Sequence, residues 1–252
     1  MSHDCRKFLG ALATSALFGV SLTAGLSGNP LLAQMGAMGQ QGMMQEKLAA
    51  IKASTAENQR KLHQYTWTET SRITVNGNAR PAKESTCSYG TDGKVRKVPM
   101  GGTEEASSNM GGRRGRFRQR IVEKKTEEMK DYMQQVAGVI ALYMPPNPMK
   151  MQQAFQLKKI SFGRSSGLVN LVFKDYALPG DSMTIGFDSA AKKIRTLNVN
   201  TYLNQPQDGI TLMVEFAGLP DGTNHPQRTT LDAQAKKIHV VNTNSNYRKT
   251  YQ

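Results

Sequence analysis

The chain has 252 residues, 38 % of them hydrophobic and 21 % charged, with 33 Lys and Arg against 19 Asp and Glu and a formal net charge of +14. This composition excludes a polytopic membrane protein, a disulfide-dense mini-protein and a coiled coil. The positive excess predicts attraction to polyanions and anionic membrane surfaces and says nothing about fold.

Arg6 and Lys7 precede an apolar stretch from Phe8 to Leu26; Ser27-Gly28-Asn29-Pro30 and Leu31-Leu32-Ala33 follow. A basic start, an apolar run and a small residue at its exit form the pattern of a secretory signal peptide over 1–33, with cleavage expected after Ala33. An uncleaved anchor is the weaker reading, because Gly, Ala, Ser and Thr dilute the apolar run. The expected location is periplasmic or secreted, in a bacterium. Cleavage leaves Cys87 as the one cysteine, so no internal disulfide is expected. No Asn stands in an N-x-Ser/Thr acceptor, which mildly favours a bacterial source.

Residues 34–45 are low in complexity and predict a flexible lead-in, with a single domain over 46–252. Met35 and Met38 invite a soft-metal reading, but no His or Cys joins them, and a mobile tail accounts for them better. Residues 45–64 predict a helix from the spacing of Leu48, Ile51, Thr55, Asn58 and Leu62. The stripe is weak at Thr55 and Asn58, so this helix needs tertiary support. From Tyr65 the period becomes two, and Asn76-Gly77 and Asp92-Gly93 predict tight turns joining three antiparallel strands.

Residues 101–120 combine Gly pairs, Ser107 and Ser108 with Arg113, Arg114, Arg116, Arg118 and Arg120. Too few apolar residues are present to offset ordering, so a mobile basic loop is expected. It could ion-pair with an anionic envelope polymer or membrane surface. Specific nucleic-acid recognition is not expected, since Phe117 is its one aromatic residue. Residues 120–144 predict a helix with Ile121, Val122, Met129, Met133, Val136, Ile140 and Tyr143 on one broad face. Pro145-Pro146 ends it, and Asn147 with Pro148 starts a short helix to about Lys158.

Beyond Lys159 the chain alternates in short strands built on Val169, Leu171 and Phe173; Met183, Ile185 and Phe187; Leu197, Val199, Thr201 and Leu203; Leu212, Val214 and Phe216; and Ile238 and Val240. The short spacings predict hairpins rather than crossover helices. A diffuse repeat recurs: LPGD (178–181) leads to FDSAAKKI (187–194), and LPDG (219–222) leads to LDAQAKKI (231–238). Its Asp residues are expected to accept backbone N–H bonds in the turns.

No catalytic constellation emerges. His63, His225 and His239 form no metal-ligand spacing. Gly163-Arg164-Ser165-Ser166-Gly167 spells a nucleophile elbow, but a strand rather than a helix follows, so a hairpin turn explains it. Cys87, in an alternating strand, reads as a buried thiol. A non-enzymatic protein without cofactor or metal is expected.

The order of elements, with the FDxxxKKI hairpins, resembles the LolA/LppX-type lipoprotein-carrier superfamily over residues 45–252. The segments QYTWTE (64–69), LPDGTN (219–224) and NTNSNYRK (242–249) are similar to those of uncharacterised secreted bacterial proteins. The resemblance implies an α+β fold: an open, strongly curved antiparallel sheet, an unclosed β-barrel, with helices covering its concave face. It also implies a hollow that binds acyl chains. On that expectation Trp67, Phe173, Phe187, Val199, Leu212, Val214 and Phe216 line the hollow, and the helix bearing Met129, Met133, Val136 and Ile140 covers it. Two functional readings stand: a carrier of a lipid or acyl chain, and an envelope-interaction protein acting through the basic loop on a polyanion or a protein partner.

Overall fold

The computed structural model describes residues 30–101 and 113–250. The expected signal peptide up to Asn29 and the first half of the basic stretch therefore lie outside the described residues. Helix α1 runs from Pro30 to Leu62. The chain divides into two compact units, 1–41 and 42–252. Of the first, the described residues 30–41 form the opening turns of α1. Residues 34–45, expected as a flexible lead-in, are thus helical; their Ala, Gln and Met are good helix formers and outweigh Gly36, Gly39 and Gly42, and Pro30 suits a first turn. No described helix is long and apolar enough to cross a membrane.

The second unit is α+β, with an open, curved antiparallel sheet of eleven strands among the described residues. The strands are β1 (Tyr65–Val75), β2 (Asn78–Ala79), β3 (Lys83–Tyr89), β4 (Val95–Pro99), β5 (Ile160–Ser165), β6 (Leu168–Lys174), β7 (Ser182–Asp188), β8 (Lys193–Tyr202), β9 (Gly209–Gly218), β10 (Asn224–Ala233) and β11 (Ile238–Lys249). Their order is β4-β3-β1-β11-β10-β9-β8-β7-β6-β5, with β2 paired to β1. Strands β4 and β5 do not meet, so the barrel is unclosed. Irregular register in β1 between Thr66 and Thr68, in β7 between Gly186 and Phe187, and in β10 between Pro226 and Arg228 supplies local bending.

The turns follow from local chemistry. Asn76 and Gly77 both have positive φ, 50° and 79°, as do Ser166 and Gly167 at 51° and 76°. These are the backbone signs of a two-residue hairpin turn. The GRSSG segment therefore joins β5 to β6, two strands, and provides no elbow. In the FDSAAKKI hairpin Asp188 Oδ1 accepts from the N–H groups of Ala190 and Ala191 at 3.1 and 2.9 Å. Its counterpart Asp232 pairs instead with His239 Nδ1 at 2.6 Å.

Helix α2 spans Arg113–Ile140 and α3 spans Pro148–Gln156. Residues 113–120, expected as the end of a loop, are instead the first turns of α2. Arg has high helix propensity, so an apolar-poor stretch can still be helical. Asn147 caps α3 as expected, its Oδ1 accepting from the N–H of Met149 and Lys150.

Two apolar clusters cover one face of the sheet. The larger joins Leu48 and Ile51 of α1 and Met151 and Ala154 of α3 to Leu171, Phe173, Ile185, Phe187, Val199 and Val214. The smaller joins Tyr132 and Val136 of α2 to Ile210, Ala233, Ile238 and Val240. The alternation of burial along β6 and β7 marks this face as the inner one. Each large side chain fully buried here contributes roughly 1.5–3 kcal/mol.

Candidate functional site

Between the lower half of α1 and the sheet lies a cavity of about 410 Å³, within the usual range for small-molecule sites. Ser54, Thr55, Asn58, Gln59 and Leu62 of α1 form its roof. These positions fall on one helical face, and it is the face on which the apolar stripe of α1 lapses. Ile194 and Leu197 of β8 and Phe216 of β9 form the floor. Tyr89, Gly93, Lys94 and Val95 of the β3–β4 hairpin form one side, and Met144, Pro145 and Pro146 the other.

Two polar devices hold these walls. The first fixes the roof. The Asn58 side chain donates from Nδ2 to the carbonyl of Asn224 and accepts at Oδ1 from its N–H, both at 2.5 Å. An amide side chain thereby pairs with β10 as a neighbouring strand would. Ser54 Oγ adds a bond to the Lys192 carbonyl at 2.7 Å. Asn224 Nδ2 in turn donates to the Ile194 carbonyl at 2.8 Å, tying the roof clamp to the floor.

The second device fixes the Met144–Pro146 wall. Buried Asp181 accepts from the hydroxyl of Tyr143 at 2.5 Å and from the N–H groups of Tyr176, Ala177 and Leu178. Tyr143 also meets Thr201 Oγ1 at 2.8 Å. Burial, reinforced by the Asp181 bond, pushes the Tyr143 phenol far above its ordinary range, so it stays a donor. On the other side of the wall, the Asn147 N–H donates to Tyr176 Oη at 2.7 Å. The prolines are held between two anchored residues.

Behind Tyr89 lies an aromatic cluster. Tyr89 stacks on His63 at 4.5 Å and leans on Trp67 at 5.4 Å; Trp67 stacks on Tyr247 at 5.6 Å, and Tyr247 meets His225 at 4.1 Å. Burial raises the Tyr89 and Tyr247 phenols and lowers the His225 imidazole, which favours its neutral form. Cys87 is fully buried beside this cluster, paired across the strands with Trp67, and burial raises its thiol. Buried thiols of this kind are poor nucleophiles. Asp221, in the second LPxx turn, accepts from the Tyr65 hydroxyl at 2.7 Å and the Thr223 N–H at 2.9 Å. These bonds, the Tyr65 hydroxyl first, hold its carboxyl down at about 2.

The predicted lining residues separate into four places. Phe216 lines the cavity. Phe173, Phe187, Val199, Leu212 and Val214 fill the larger cluster. Val136, with Met129 and Met133 packed beside it, belongs to the smaller cluster, and Ile140 touches both. Trp67 sits in the aromatic cluster. The cover of the cavity is thus α1 rather than α2. Asn58, Leu62, Tyr89, Met144, Ile194 and Leu197 were not among the residues expected there. The signal that could have found them is the lapse at Thr55 and Asn58 within an otherwise apolar stripe. Arg113 to Arg120 lie on the opening turns of α2, which has no acidic residue in its first turn.

No family model matches the chain. No curated protein matches it. A similar solved structure is the crystal structure, at 1.75 Å, of a DUF1329 family protein from Desulfovibrio piger. It shares 9 % identity, the match covers 80 % of this chain and 92 % of that one, and the TM-score is 0.38. A likeness at this level carries no argument about fold or function.

Proposed function

We propose that this is a secreted or periplasmic, non-enzymatic binding protein that holds an apolar ligand, a lipid or acyl chain, in the cavity beneath α1. The observation that carries this reading is the mismatch between roof and floor. The sheet offers Ile194, Leu197 and Phe216, while the helix above them offers Thr55 and Asn58 and leaves about 410 Å³ unfilled. A helix selected only for stability would fill that space with large apolar side chains, since voids forfeit packing energy. The resemblance of the hairpin repeats to the lipoprotein-carrier superfamily supports the same reading.

The test is uptake of a neutral apolar fluorophore, N-phenyl-1-naphthylamine, by the delipidated protein. Thr55→Trp places an indole in the cavity from a half-buried roof position and leaves the sheet core untouched. Saturable uptake by the parent and its loss in a folded Thr55→Trp variant are expected. Undiminished uptake by that variant would refute the site.

A second reading concerns α2. Arg113, Arg114 and Arg116 in the first turn of α2, which has no acidic residue, oppose the positive end of its dipole. A bound polyanion would relieve this repulsion, which favours the envelope-interaction reading for that end of the molecule.

A further inference from the structure

The size and the charge of the cavity go further than apolar binding. We propose that it takes a single-chain amphiphile with an anionic head, the tail lying between α1 and the sheet and the head at Lys94; this rests on the cavity reading above. Three observations carry it. First, about 410 Å³, at roughly 30 Å³ per water-sized group, holds on the order of a dozen heavy-atom groups. That is one medium-length chain. The two long chains of a membrane phospholipid would have to extend beyond these walls.

Second, the lining contains no Asp or Glu, and Lys94 is its one formally charged residue. A cationic head would find no counter-ion there, whereas a carboxylate or phosphate finds one. Third, Lys94 stands where a head group would emerge. It is exposed and lies on the β3–β4 turn. Of the acids on the flanking segments, Asp92 Oδ1 accepts the backbone N–H of Lys94 at 3.2 Å rather than pairing with its ammonium, and Glu57 of α1 pairs with Lys61 at 2.8 Å. Deeper in the cavity Asn58 and the Asn224 backbone are bonded to each other, Ser54 Oγ donates to the Lys192 carbonyl, and the unpartnered Asn224 Oδ1 is an acceptor that offers an anionic head nothing.

The experiment uses the full mature chain, delipidated, with N-phenyl-1-naphthylamine as the reporter. Three competitors are titrated: dodecanoate, dodecyltrimethylammonium and a long-chain diacyl phosphatidylglycerol. Dodecanoate should displace the reporter at about tenfold lower concentration than dodecyltrimethylammonium, the difference between pairing and repulsion at one rim charge. Lys94→Gln should shrink that ratio towards one and Lys94→Glu should invert it, each displacement being read against that variant's own reporter titration. The phospholipid should not compete at matched concentration.

General attraction of anions to a basic protein predicts a ratio that survives Lys94→Gln, and that result would overturn the assignment of the head to Lys94. Equal displacement by the two dodecyl probes would overturn the anionic head, and efficient competition by the phospholipid would overturn the single chain. Each of these leaves the cavity reading intact. Absence of reporter binding would overturn both.

Discussion

Asn58→Ala tests how α1 is held over the sheet. The substitution removes two hydrogen bonds to the backbone of Asn224 and leaves a partly buried N–H and C=O without those partners. Each lost bond costs roughly 0.5–1.5 kcal/mol, and an orphaned buried group costs about 1–3 kcal/mol. Against this, Ala is a better helix former than Asn by up to about 0.7 kcal/mol. The net loss is about 2 kcal/mol. It falls on the docking of α1, because both lost bonds join α1 to β10 and the ladders within β6 to β8 keep all of theirs. Converted by the usual tenfold per 1.4 kcal/mol, local opening should become about thirty times more frequent. Amide hydrogen exchange read peptide by peptide should show that acceleration over residues 50–62 and little change in β6 to β8. Reporter release should quicken in step. Asn58→Asp, which keeps the acceptor and loses the donor, should fall between the two. Unchanged exchange across α1 in Asn58→Ala would show that the clamp does not hold the helix, and the account of the roof would fail.

Val136 is fully buried in the smaller cluster, so Val136→Ala should lower stability by about 2 kcal/mol in urea unfolding and leave reporter uptake unaltered; loss of uptake in folded protein would place the ligand under α2. The Asp221 carboxyl sits at about 2 against an ordinary 3.8, so its contribution to stability is full above the unfolded value and is lost as pH falls from about 4 towards 2. In Tyr65→Phe its midpoint, followed by NMR, should rise towards 3.8, and an unmoved midpoint would refute the assigned cause. Replacing Arg113, Arg114, Arg116, Arg118 and Arg120 by Gln should flatten the salt dependence of retention on heparin; identical elution would leave those charges without a binding role.

The strands and their turns were legible because their causes are local. Asn76-Gly77 and Ser166-Gly167 need positive φ, and period-two alternation declares which face of β6 and β7 is buried. The cavity was less legible because its walls come from distant segments. Leu62, Tyr89, Met144 and Leu197 each have an ordinary local reading, and only the sheet order brings them together. The choice of α2 as cover followed its stronger amphipathic pattern. A strong apolar stripe packs solidly, however, as Val136 does, while the interrupted stripe of α1 is the one that leaves space. The opening turns of α2 were misread for a related reason. Apolar content measures the capacity to pack, whereas Arg carries helix propensity without it.

The pairing of β1 with β11 has a consequence for the order in which the sheet forms. Val75 lies opposite Ile238 and Tyr65 opposite Lys249, so the seam joining the strands before α2 to those after α3 needs β11, the last of the eleven described strands in chain order. Until that strand emerges, β1 and β10 each present an open edge, and the sheet exists at most as two separate pieces. Bringing such distant partners together is also slow, because loop-closure entropy must be overcome before any contact compensates it. A chain built this way keeps its sheet in two parts until residues 238–249 have been made.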